Sequence, residues 1–466
     1  MLSRRRFLAA GIAVAAVPLL HPRVAAAADD FRTITLKPGS ARLLGPDRPA
    51  TPIWGYDGSV PGPTLRVKRG EEVRVRIQNA LAQPTSVHWH GIRIDNRMDG
   101  AAGLTQDPIR PGASFDYRFT APDAGTFWYH PHFNTSEQLG RGLYGLLIVD
   151  ETEPVEVDRD LALVLDDWRL DADGRVHESF GNMHDAMMAG RYGNHFTING
   201  KYFPEITVRT NERLRLRLLN VANARVMPVR IAGHAATVMA VDGQPAEPFA
   251  LERARAVLSP GTRYDLFLDA TQAPGSSAEV LIDIGEREIP VARLVYEAGE
   301  PKRPAPLPAP RALLKNPLPE TIDLRNAVRM EVPLEGGMMG MMGPGMMGPG
   351  MMMGPGMTGA IWRLAGRASD GHSGQPLFSV KRGRSVVLGF PNQSRFPHAI
   401  HVHGHHFRVL DARDDGWKPW WQDTVLILPE RTARIAFVAD NPGKWMLHCH
   451  MIEHQDSGMA AWFEVT

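Results

Sequence analysis

The only cysteine in this 466-residue chain, Cys449, stands between two histidines in His448-Cys449-His450, and His454 and Met459 follow it closely. Upstream, His398 opens a second motif, His398-Ala-Ile-His401-Val-His403. A thiolate, two imidazoles and one thioether form the donor set of a blue-copper electron-transfer site, where the methionine is the weak axial ligand. His398, Cys449, His454 and Met459 supply that set. Successive residues of a strand face opposite sides, so Cys449 points one way while His448 and His450 point the other. One strand can therefore join a mononuclear metal to a histidine-lined site behind it.

The chain has material for such a site. Four His-x-His pairs occur: His88-Trp-His90, His130-Pro-His132, His401-Val-His403 and His448-Cys-His450. On a strand each pair presents both imidazoles on one face. A single pair would be read as a strand with surface histidines. Four pairs at matching places of an internal repeat point to ligands, and eight imidazoles beside a Cys-His-His-Met set fit no closed four-ligand zinc site.

The elements that must carry these residues are visible as three copies of one segment. Leu65–Asn79 matches Ile206–Asn220, and Phe378–Asn392 is a looser third copy. Nine residues beyond the closing asparagines come His88-Trp-His90, Val229-Arg-Ile231 and His401-Val-His403. Gly125–His132 likewise matches Gly443–His450. The reading is three similar domains, the middle one keeping the framework without the ligands. Alternation such as Leu214-Arg-Leu-Arg-Leu218, with 45 Gly and 38 Pro to punctuate it, predicts an all-β sandwich architecture. The expected division is 29–152, 153–310 and 311–466, with a Pro-rich connector over Glu297–Asn316 and a Met-Gly-Pro insert over 336–359.

Charge is nearly balanced, 52 Lys+Arg against 51 Asp+Glu, which leaves no nucleic-acid footprint. Residues 1–28 read as an export signal: Arg4-Arg5-Arg6-Phe7-Leu8 resembles the twin-arginine signature, and the apolar run to Leu20 is too short to span a bilayer. The expectation is a periplasmic or otherwise exported protein, folded before transport, with no membrane span after cleavage. A lone cysteine in such a protein cannot close an internal disulfide, which again directs it to metal.

On the motifs His88-Trp-His90-Gly91, Trp128-Tyr-His130-Pro-His132, His398–Phe407 and His448–Met459, the chain resembles the three-domain multicopper oxidases of the laccase and cuprous-oxidase group. The resemblance covers essentially everything after the signal. It implies three cupredoxin-like Greek-key β-sandwiches and four copper ions. His398, Cys449, His454 and Met459 would hold type 1 copper, and His88 and His401 type 2 copper. The two type 3 coppers would take His90, His130 and His450, and His132, His403 and His448. O2 would be the electron acceptor, reduced to water, and the molecule a monomer. Asp99 resembles the family's acid beside the cluster. Where many bacterial members carry an acid after the last type 1 histidine this chain has Gln455, so protons would come through Asp456 or another route.

Two donors fit this chemistry. Met338, Met339, Met341, Met342, Met346, Met347, Met351, Met352, Met353 and Met357 crowd the insert, and thioether sulfur suits Cu(I). A cuprous oxidase serving copper tolerance follows from them. The alternative is a laccase-like oxidase of phenols and aromatic amines. Met183, His184, Met187 and Met188 form a second soft cluster, read as packing. A copper-free cupredoxin-fold protein of the envelope or of cell division would have lost ligands, and none is missing here.

Overall fold

A computed structural model describes residues 30–338, 361–411 and 416–466. The expected export signal, and every methionine of the insert except Met338, lie outside those residues. The chain forms three cupredoxin-like β units. The described residues hold only three α-helices, Thr135–Gly140, Met183–Met187 and Ile452–Asp456. None is long and apolar enough to cross a membrane.

Domain 1 is a pair of four-stranded sheets. One runs Thr51–Tyr56, Arg32–Ala41, Glu72–Asn79, Ser114–Thr120, and the other Leu65–Lys68, Gly145–Asp150, Gly125–His130, His88–His90. Inward residues such as Ile77, Tyr117, Phe127 and Leu147 fill the space between them. Domain 2 pairs a six-stranded with a five-stranded sheet around Leu216, Val229, Leu268 and Ile282. In domain 3 the core of Leu388, Ile400, Phe437 and Leu447 also contains Cys449 and Met459. Burying each large apolar side chain stabilises the fold by about 1.5–3 kcal/mol.

The three repeat copies fold alike for a local reason. Each is two strands joined through a left-handed residue at one register position: Gly70 (φ 89), Asn211 (φ 63) and Gly383 (φ 83). Glycine and asparagine tolerate that conformation best. The closing asparagines repeat one hydrogen-bond pattern. Asn79 Nδ2 donates to the carbonyls of Gln83 and Ile109 while its Oδ1 accepts from Leu81 N. Asn220 does the same with Arg225, Leu258 and Ala222. Asn392 does so with Phe396, Ile427 and Ser394. The chain leaving each asparagine is thus turned identically, so the motif nine residues on falls on an equivalent strand.

In domain 1 that strand is His88–His90, paired antiparallel with Gly125–His130 so that His88 faces His130. In domain 3, His398–Val402 pairs antiparallel with Gly443–Cys449, and His401 faces His448. The corresponding strand of domain 2, Met227–Ile231, carries no histidine.

Candidate metal centre

The eight paired histidines converge where domains 1 and 3 meet. Their rings are buried, and the nitrogens fall into groups close enough to share an ion: His88, His90 and His401; His90, His130 and His450; His132, His403 and His448. Within each group the donor atoms lie within 4.8 Å of one another. In the last group the Nε2 atoms approach to 3.1 Å between His403 and His448, and 3.4 Å between His132 and His448.

What the rings do with their other nitrogens shows how they are aimed. His88 Nδ1 donates to the Asp99 carbonyl at 2.8 Å and His401 Nδ1 to the Asp423 carbonyl at 2.9 Å. Both Nε2 atoms are buried with no hydrogen-bond partner. His130 turns Nδ1 to the Pro131 carbonyl and leaves Nε2 unpartnered, and His90 leaves Nδ1 unpartnered. His450 has a partner on neither nitrogen. A buried polar atom without a partner is costly. Here five rings, those of His88, His90, His130, His401 and His450, each have such an atom and belong to the groups above, the condition a bound cation would relieve. Burial also holds the imidazoles neutral: His132 and His450 are pushed down to about 3, and His130, His403 and His448 fall well below the usual range. Neutral imidazole is the form that binds metal.

Two carboxylates support the rings from outside in a crossed arrangement. Asp99 of domain 1 accepts from His403 Nδ1 at 2.9 Å and lies 3.3 Å from His88 Nδ1. Asp423 of domain 3 meets His90 Nε2 at 3.1 Å and His401 Nδ1 at 3.3 Å. Stacking repeats the crossing, with ring centroids 3.8 Å apart for His88 over His403 and 3.7 Å for His90 over His401. Burial alone would raise the Asp423 carboxyl, but Arg263 and then His90 and His401 hold it well below the carboxylate range.

The second group is His398, Cys449 and His454. Cys449 Sγ lies 3.5 Å from His398 Nδ1 and 3.8 Å from His454 Nδ1, and the two Nδ1 atoms are 3.2 Å apart. Each imidazole is held by its outer nitrogen. Ser394 Oγ bonds His398 Nε2 at 2.8 Å, and His454 Nε2 donates to the Met188 carbonyl at 2.8 Å. The Trp362 ring lies over His454 at 4.2 Å and edge-on to His398 at 5.0 Å. Burial pushes the Cys449 thiol up to about 12, so a metal must displace its proton. Met459 is fully buried at the start of its strand. A second thioether, Met451 Sδ, sits 3.8 Å from Cys449 Sγ and accepts from Ala399 N at 3.2 Å.

The helix Ile452–Asp456 that carries His454 is anchored by its neighbours. Glu453 Oε1 accepts from Ser136 Oγ at 2.7 Å and Asn223 Nδ2 at 3.0 Å, and Glu453 Oε2 accepts from Arg191 N at 2.9 Å. Gln455 is buried with Oε1 unpartnered. Asp456 is exposed and accepts from Ser136 N at 3.2 Å.

Sequence reading found the imidazoles and the thiol by their spacing. It did not find Ser394, Trp362, Met451, Asp423 or the Met188 carbonyl, and offers no signal for them, since none lies at a ligand spacing. It assigned domain 2 a framework role only. His405 and His406, following the second motif, are both buried.

A soft mononuclear donor set wired by one strand to a histidine cage, on three cupredoxin-like domains, defines a copper oxidase. The multicopper oxidase models match residues 41–154, 159–281 and 349–466, and the chain belongs to that family. It is 32% identical to the multicopper oxidase MmcO of Mycobacterium tuberculosis, over 92% of this chain and 86% of that protein. Among solved structures, the multi-copper oxidase of Pseudomonas thermotolerans superposes with a TM-score of 0.82 at 33% identity, covering 94% of this chain and 99% of that one. A laccase-like multi-copper oxidase from the lignin-degrading bacterium Ochrobactrum sp., with oxidase activity towards lignin model compounds, gives a TM-score of 0.79 at 27% identity, covering 94% and 98%.

Proposed function

We propose that this multicopper oxidase takes single electrons from Cu(I), in copper tolerance outside the cytosol, and passes them to O2, which is reduced to water. In this reading His398, Cys449, His454 and Met459 hold type 1 copper, and His88 and His401 type 2 copper. His90, His130 and His450 hold one type 3 copper, and His132, His403 and His448 the other. Bound there, four coppers supply the one-electron steps and the four-electron store that O2 reduction requires.

The chain's own residues do the rest. Ser394 and the Met188 carbonyl hold His398 and His454 with Nδ1 turned to the thiol. The strand Gly443–Cys449 links that end to the cage, since His448 and Cys449 are adjacent on it. Water formation consumes protons, and the carboxyls against the cage rings are Asp99, on His88 and His403, and Asp423, on His90 and His401, while Asp456 stands two residues after His454.

The observation that carries Cu(I) as donor is the cover over His454. Its outer nitrogen is occupied by the Met188 carbonyl and its side chain is buried. The helix Met183–Met187 lies there, and Met338, the first residue of the Met-rich run, donates its N–H to the Met187 carbonyl at 3.0 Å. A phenol ring has no imidazole edge to touch, whereas a small soft cation needs only thioethers near that edge. An open groove of about 510 Å³ lined by His177, His184, Asp185 and Met188 lies beside it. The Ochrobactrum relative favours the second reading, a laccase-like oxidase of phenols and aromatic amines.

Oxygen uptake by the copper-loaded enzyme tests the choice, comparing kcat/KM for Cu(I) with that for a phenol, with and without residues 337–357. Preference for Cu(I) that falls on deletion is the expected result. Preference for phenols, or Cu(I) oxidation unchanged by the deletion, transfers the enzyme to the laccase reading.

A further inference from the structure

Domain 2 carries none of the proposed ligands, yet it reaches the cage. Gly261, with φ 85, backs onto two of the rings: a Cβ there would lie 3.0 Å from His90 Cε1 and 3.2 Å from His450 Cδ2. Two residues on, the fully buried Arg263 places its guanidinium among all three domains. Its Nε donates to the Thr126 carbonyl of domain 1 at 3.1 Å, and Nη1 to its own domain's Gly261 carbonyl at 3.0 Å. Nη1 and Nη2 form a fork on the Asp423 carboxylate of domain 3, at 3.0 and 2.7 Å. Asp242 completes the node: Oδ1 accepts from Arg263 N at 2.9 Å, and Oδ2 from Asp423 N and Thr424 N, both at 3.1 Å.

The residue after the first His-Trp-His motif makes room for this fork. A Cβ on Gly91 would fall 2.2 Å from Arg263 Nη2 and 2.5 Å from Asp423 Oδ2. The crossed counterpart of Asp423 is different. Asp99 meets two rings in the same way, but among the described residues no guanidinium hydrogen-bonds it. The symmetry between the two acids is therefore broken by a single side chain from the domain without ligands.

We infer that Arg263 is a positioning residue for the histidine cage, fixing His90 and His401 through its fork on Asp423. This rests on the ligand reading proposed above. A bidentate guanidinium sets both the place and the plane of a carboxylate, which a lysine ammonium does not. His401 is held through both its carboxylate and its carbonyl contacts with Asp423, so the direction of its free Nε2 depends on that residue staying in place.

The test uses the full copper-loaded chain, with Arg263→Gln and Arg263→Lys, dialysed against a chelator, then read by copper count and electron paramagnetic resonance. Unsubstituted protein should keep a type 2 signal; its absence there would overturn the ligand reading itself and this inference with it. Loss of the outer support of a metal ligand costs about 10–100-fold in metal affinity. The expected result is a copper affinity of the cage at least about tenfold lower, with altered type 2 hyperfine splitting and the blue absorption of the Cys449 site retained. A variant that holds copper and the type 2 spectrum as the unsubstituted protein does overturns the inference. Should the glutamine variant fail to fold, the lysine variant, which keeps charge and most of the volume, decides on the same readouts. Parallel loss of the blue and type 2 signals in it marks a general structural role and also overturns the inference.

Discussion

Ser394 does for His398 what the Met188 carbonyl does for His454: it occupies the outer nitrogen, so that Nδ1 faces Cys449. The hydroxyl is itself fixed, donating to Asn392 Oδ1 at 2.8 Å, which leaves a lone pair for His398 Nε2–H. Asn392 is the closing asparagine of the third repeat, so the residue that shapes the turn also orients the group that orients the ligand. Removing the hydroxyl leaves a buried N–H unpaired, at a cost of about 1–3 kcal/mol. Ser394→Ala is expected to weaken copper binding at Cys449 by about tenfold and to shift the blue absorption, with the cage signals unchanged. Copper titration followed at the blue band checks this, and an unshifted band with unchanged affinity would show that the hydroxyl does not orient His398.

At the scale of elements, the strand Glu212–Asn220 shows both the reach and the limit of sequence patterns. Its Leu-Arg alternation correctly marks a β-strand with Leu214, Leu216 and Leu218 in the core. The arginine face is not in water, however. Arg213, Arg215 and Arg217 are buried and paired: Arg213 with Asp269 at 2.7 Å, Arg215 with Asp265 at 2.6 Å, and Arg217 with Asp160 at 2.7 Å. Thr126 Oγ1 of domain 1 donates to Asp265 at 2.6 Å and accepts from Arg217 at 2.8 Å, so this face is a seam between two domains. Periodicity tells which residues share a face, not what later covers it. Asp265→Ala removes one of two carboxylates from each of two buried guanidiniums, Arg215 keeping Glu151 and Arg217 keeping Asp160, and about 1–3 kcal/mol of stability should go with it. Urea denaturation of the two proteins measures the difference, and a change below about 1 kcal/mol would mean that water or Glu151 takes over the charges.

The same distinction separates what was legible in the site from what was not. His88, His90, His130, His132, His401, His403, His448 and His450 are visible because strand geometry demands a spacing of two, and the repeat supplies the register. Asp423 lies in no repeat copy and has no such spacing, and Arg263 reads as one more polar position on an alternating strand. Trp362 reaches His398 and His454 from beyond the insert, donating Nε1–H to the Ala186 carbonyl at 2.6 Å. Contacts of this kind are made by folding elements from distant parts of the chain together. They leave no local pattern.

For the molecule as a whole, burying so many imidazoles makes stability depend on pH. Burial pushes His132 and His450 down to about 3, and His405, His406 and His454 to about 4. The unfolded chain binds a proton on each below about pH 6.5, while the folded chain does not until those lower values. Stability is therefore fully present above about pH 6.5 and is lost as pH falls towards 4. At pH 5 each such histidine withdraws about 2 kcal/mol, while the buried carboxyls of Asp166 and Asp242, which burial raises to about 7, work in the opposite direction. The urea midpoint of copper-free protein should drop between pH 7 and pH 5, and copper-loaded protein should drop less, because bound metal keeps the ligands deprotonated. Equal slopes with and without copper would mean that the ligand imidazoles are not what titrates.

The cage is divided between the two ends of the chain. His88, His90, His130 and His132 come from domain 1, and His401, His403, His448 and His450 from domain 3, more than 260 residues further along the chain. During synthesis every fragment short of His448 lacks two of the eight imidazoles, and Cys449 as well. A product clipped between domains 2 and 3 thus keeps four of the eight imidazoles and can present no complete cage to a metal.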